Sequence, residues 1–218
     1  MRLFFYIAAG LTISGLLSAE PAVRARSAVE GGRLNTADIL ARASGKAKSK
    51  LGVKGMTVFP GDNVVPQFVE GSYWSTGITL VNMDTRTLTA TVYFIADDGS
   101  DLSVPIVGLG NSVRAIDITL PVMNTITIQT PGTTASLKQG YAYIERDAAD
   151  AGLGGFAVFR QSIPGKPDSE AVVPIVNEFD DRFVLLFDNT NGFSTGVAIA
   201  NSDSQTEAIP ITIRDEDG

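Results

Sequence analysis

Asp97, Asp98 and Asp101 crowd one short stretch of this 218-residue chain, and Asp215, Glu216 and Asp217 crowd another. Grouped carboxylate oxygens are the ligands that Ca²⁺ prefers. The loop spacing of an EF-hand is missing around both groups, so solvated turns are expected, with Asp97, Asp98 and Asp101 as the metal candidates. Asp147 with Asp150, and Glu178 with Asp180 and Asp181, have the residue type used in glycoside hydrolysis. That chemistry needs two carboxyl groups converging in one cleft, and nothing around either group marks a pocket.

The chain contains no His and no Cys. Thiolate nucleophiles, Cys/His zinc sites and imidazole general bases are therefore excluded. A serine nucleophile would need a lysine base, and beyond residue 54 the lysines are Lys138 and Lys166, neither in a Ser-x-x-Lys arrangement. Gly152, Gly154 and Gly155 precede a strand-type segment instead of a helix, so they are no phosphate loop. The remaining candidates are aromatic. Tyr73, Trp74, Tyr141 and Tyr143 could form a sugar-binding face, although core or cross-strand packing is the commoner fate of such rings. No catalytic residue and no cofactor is expected, and the chain does not read as an enzyme.

Charge narrows the partners. Net charge is −7, but the signs are segregated. Residues 23–54 hold eight basic residues against Glu30 and Asp38, whereas from Gly55 onward there are eight basic and 21 acidic residues. An acidic body repels phosphate backbones, so nucleic acid is not an expected partner. The basic stretch reads as a solvated linker.

The chain opens with Arg2, the apolar run Leu3 to Leu17, and small residues at Ser18 and Ala19 and again at Ala25. A positive start, a short apolar region and small-residue cleavage sites predict a secretory signal over 1–25. The apolar run falls short of the roughly 20 residues that span a bilayer, so no transmembrane segment is expected after cleavage. Residues 26–54 read as a basic flexible tether, with one or two helical turns over Asn35–Ala43.

From Met56 the composition changes to short β-branched and aromatic runs punctuated by Gly, Pro, Asn and Asp. These predict strands at Met56–Phe59, Gly77–Val81, Thr87–Ile95, Leu102–Val107, Val113–Leu120, Thr125–Gln129, Gly140–Glu145, Gly155–Gln161 and Ala171–Val176. Thr87–Ile95 is the clearest case. Leu88, Ala90, Val92 and Phe94 alternate with Thr87, Thr89, Thr91 and Tyr93, the period of two of a half-buried strand.

The chain also aligns with itself at an offset of 119, without a gap, from Phe68–Gly99 onto Phe187–Gly218. Identities include Ser75/Ser194, Thr76/Thr195, Gly77/Gly196, Asn82/Asn201, Asp84/Asp203 and the turn pairs Asp98-Gly99/Asp217-Gly218. Self-similarity at this scale marks a repeated structural unit. Gly77 is expected to allow close backbone approach, and Asn82 to close an Asx turn.

A strand ending in Val-Asn, a polar loop, a Thr-rich strand and Asp-Asp-Gly together resemble the Ig-like or fibronectin-III-like modules of bacterial secreted and surface proteins. Many short strands with regularly spaced turns indicate an all-β, two-sheet sandwich over 55–178, the self-alignment implies that 179–218 begins a second, incomplete repeat, and the resemblance implies that the module is Ig-like. It implies no enzymatic activity. The expected function is a non-catalytic structural or adhesive module of a secreted or cell-surface protein; a carbohydrate-binding accessory module of a larger enzyme is the alternative. The expected partners are a surface polymer, a glycan or another extracellular protein.

Overall fold

The computed structural model describes residues 3–11, 63–148, 152–177, 185, 193–201 and 208–214. The expected strand Met56–Phe59, the turns over Asn35–Ala43, the tether, and the acidic residues Asp150, Glu178, Asp180, Asp181 and 215–217 lie outside them.

The described residues are all-β. In chain order the strands are β1 (Leu3–Leu11), β2 (Asn63–Glu70), β3 (Trp74–Asn82), β4 (Leu88–Ala96), β5 (Val104–Ile106), β6 (Gly110–Val113), β7 (Ala115–Leu120), β8 (Thr125–Gln129), β9 (Lys138–Arg146), β10 (Leu153–Gln161), β11 (Ser169–Pro174) and β12 (Phe193–Asn201). Two four-stranded sheets, in the orders β2-β9-β4-β7 and β11-β10-β3-β8, face each other; β5-β6 and β1-β12 form two-stranded ribbons. Every ladder is antiparallel. The fold is a β-sandwich.

Alternation in the sequence decides which side chains fill it. On β4, Leu88, Ala90, Val92 and Phe94 are buried between the sheets. They meet Ile78 and Leu80 of β3, Ile116, Ile118 and Leu120 of β7, and Ile126 and Ile128 of β8 in one core. The Phe68 and Phe94 rings lie 4.9 Å apart and tilted by 48°, a geometry worth about 1 kcal/mol beyond area burial.

The two sheets are also tied by polar side chains. Thr76 Oγ1 on β3 donates to Val69 O at 2.6 Å and accepts from Val69 N at 3.1 Å, on β2 of the opposite sheet. At the other end of β3, Asn82 Nδ2 donates to Leu120 O and Pro121 O, both at 3.0 Å, and to Arg86 O at 2.8 Å. Both side chains are buried, where unpaired polar groups would be costly. Thr76 and Asn82 are two of the repeated identities, and a cross-sheet tie is what each one does.

Several strand expectations shift. Val113–Leu120 is broken into β6 and β7, and Leu102–Val107 shrinks to β5. β2 carries no alternation signal because Pro66 interrupts it. The register against β9 shifts between Val65 and Phe68, where a residue without an N–H sits in a bulge. Leu3–Leu11, the first part of the apolar run Leu3 to Leu17 read from sequence as an export signal, forms strand β1.

Candidate functional site

The aromatic candidates occupy two separate places. Tyr141 and Tyr143 stand on β9, on the side of the sheet that faces away from the core occupied by Ala142 and Ile144. Tyr93 lies directly opposite Tyr143 on β4, and the rings stack at 6.1 Å with planes 27° apart. Tyr93 is not legible in the sequence as a member of this group, because its partner is 50 positions away and only strand pairing brings the two together.

This outer face is not an open platform. Tyr143 is 3% exposed and clusters with Val64, Ile95 and Ala200, with Tyr93, Tyr141 and Val176 packed against them. Ala200 belongs to β12, so part of the cover comes from the segment that repeats β3. Val176 is held over the face by reciprocal hydrogen bonds with Val64, both 2.8 Å. Tyr93 donates its hydroxyl to Glu145 Oε2 at 2.8 Å. Burial, reinforced by the Glu145 carboxylate, pushes the Tyr93 hydroxyl up to about 12, and burial also raises that of Tyr141. Beside the rings runs a polar strip in which Thr91 donates to Asp117 at 2.8 Å and Thr89 donates to Asp147.

Trp74 and Tyr73 sit at the far end of the sandwich, in the β2–β3 turn closed by Gly71 N to Trp74 O and Trp74 N to Gly71 O, each 2.9 Å. Trp74 packs against the main core. Tyr73 is 56% exposed, and it and Ser72 have φ of 75° and 50°, in the left-handed region that non-glycine residues seldom adopt. Beneath this turn lies Glu70, which the sequence had not flagged. It is fully buried and accepts hydrogen bonds from Gly132 N at 3.0 Å and Thr134 Oγ1 at 2.8 Å. Its carboxylate fixes the β8–β9 loop against the turn that carries Tyr73. A charged residue at the end of an apolar strand gave no sign of this in the sequence.

The acidic candidates do not converge. Asp97 Oδ2 accepts from Gln139 Nε2 at 2.7 Å. Asp98 Oδ1 accepts from Ser100 N at 2.9 Å and Ser100 Oγ at 2.6 Å, and those bonds hold its carboxyl below the usual range. Asp101 pairs with Arg114 at 3.9 Å. Each is committed to a different partner, and among the described residues no three acidic side chains group as metal ligands.

Asn82 Oδ1 accepts from Asp84 N at 2.8 Å, closing the Asx turn. Gly77 has a different reason from the expected one: a Cβ there would meet the end of the Gln129 side chain at 2.7 Å, not a backbone.

What these residues define is an antiparallel β-sandwich whose outer aromatic face is packed internally. No helix among the described residues is long and apolar enough to cross a membrane. Comparison with protein-family models, curated proteins and solved structures found no match.

Proposed function

We propose that this chain is a non-catalytic structural or adhesive module of the Ig-like kind, belonging to a secreted or cell-surface protein. The observation that carries the proposal is the burial of Tyr143 in one cluster with Val64, Ile95 and Ala200. Rings that could have offered a sugar-stacking face instead pack into a cluster that Ala200 of the strand Phe193–Asn201 also enters. A chain that uses its aromatic face to seat the next repeated segment is suited to stacking units end to end. The lack of His and Cys and the scattering of the acidic groups favour the same reading, and the apolar opening with its small-residue sites favours export. A surface polymer, a glycan or another extracellular protein is the proposed partner class.

Tyr73 favours the second reading, a carbohydrate-binding accessory module, because it alone of the four candidate rings is largely exposed. A glycan array probed with the full chain and with Tyr73→Ala separates the two. The structural reading expects no glycan signal that depends on Tyr73. A saccharide bound by the full chain and lost with the substitution would replace it with the second reading.

A further inference from the structure

β3 and β12 occupy the same positions of the repeat. Their bounds, Trp74–Asn82 and Phe193–Asn201, are offset by the same 119 positions as the sequences. The strand beside each is therefore comparable. Against β3, β10 runs antiparallel from Leu153 opposite Asn82 to Gln161 opposite Trp74. Against β12, β1 runs antiparallel from Leu3 opposite Asn201 to Leu11 opposite Phe193. The two ladders have the same length, direction and register, each starting with a leucine opposite the repeated asparagine. β1 holds on the second unit the place that β10 holds on the first.

We infer that the edge of β12 is a strand-accepting site, whose occupant is an extended apolar nine-residue strand paired antiparallel in the β10 register. Leu3–Leu11 fills it within the same chain. A strand edge is a row of N–H and C=O groups that any extended segment of fitting sequence can satisfy, so the site is defined by backbone pairing and register. Glycine and alanine at Gly196, Ala198 and Ala200 keep one side of β12 low, and Ala200 is the residue that reaches the aromatic cluster. On the export reading, processing would remove β1 and present this edge to an incoming strand.

The test uses the full chain and a double substitution, Ile7→Pro with Ala8→Pro. Neighbouring N–H groups of a strand point to opposite sides, so one of the two prolines must delete a donor that faces β12. Amide exchange is read at Val197–Ala200, with Ile78–Leu80 of β3 as the internal reference. The expected result is exchange faster by about tenfold or more at Val197–Ala200 and unchanged at Ile78–Leu80. A synthetic peptide of residues 2–12 added in excess should restore the protection, and a scrambled peptide should not. Unchanged exchange at Val197–Ala200, failure of the peptide to restore it, equal restoration by the scrambled peptide, or parallel loss at Ile78–Leu80 would each overturn the inference. Glycan binding plays no part in these readouts, so the outcome is independent of the proposed function.

Discussion

Tyr93 and Tyr143 face each other across the β4–β9 ladder with their rings 6.1 Å apart, and the deeper of the two is buried in a cluster that also holds Val64, Ile95 and Ala200 of β12. Replacing Tyr143 with alanine removes the ring on which this cluster is centred. The expected loss is about 3 kcal/mol, at the lower end for a buried aromatic truncated to alanine, read as a shift of the denaturant midpoint. Tyr93→Phe keeps the stack and removes only the bond to Glu145, so about 1 kcal/mol is expected.

The same pair predicts behaviour at alkaline pH. The folded Tyr93 hydroxyl titrates at about 12 against an ordinary value of 10.0, so folding favours its protonated form. Its contribution to stability is fully present below pH 10 and is lost as pH rises through about 12. Tyrosinate absorbance of Tyr93→Phe compared with the unsubstituted chain should show the missing group in that upper range. A missing transition near pH 10 would contradict the assigned burial.

Asp84 gives the opposite sign. Its hydrogen bond and ion pair with Arg86, 3.1 Å long, are the main reason its carboxyl is lowered to about 2 from 3.8. The carboxylate form is favoured by folding, so the contribution is present above pH 3.8 and fades as pH falls through about 2. Its partner Arg86 is exposed, so salt screens the pair; Asp84→Asn should therefore flatten the acid limb of the stability profile slightly, and less at high ionic strength.

Asn82→Ala deletes a buried amide that serves three carbonyls and one N–H. About 2–3 kcal/mol should be lost, since the orphaned carbonyls of Leu120 and Pro121 become buried without this donor. Thermal unfolding checks it. Among the glycines, Gly140→Ala should be the severe change: a Cβ would lie 1.9 Å from Ile95 O across the ladder, and neither backbone can yield cheaply.

Legibility in the sequence followed the range of the interactions. The alternation of Leu88 to Phe94 and the Asx turn at Asn82 depend on residues a few positions apart, and both could be read directly. β2 was lost because Pro66 breaks its pattern while the fold absorbs the break as a bulge. The candidate aromatic row failed as a unit for a different reason. Tyr73 and Trp74 lie at one end of β3, whereas Tyr141 and Tyr143 lie outside the opposite sheet, and only long-range pairing decides that. Glu70 was invisible because its partners, Gly132 and Thr134, are more than 60 positions away.

Whether the outer aromatic face is covered is measured directly by tyrosine nitration mapped by mass spectrometry on the native full chain. Tyr73, at 56% exposed, should react readily, and Tyr143, at 3%, should be slower by about tenfold or more until the fold is melted. Nitration of Tyr143 at the rate of Tyr73 in the folded protein would contradict the claim, because the rings would then form an open surface available to a ligand.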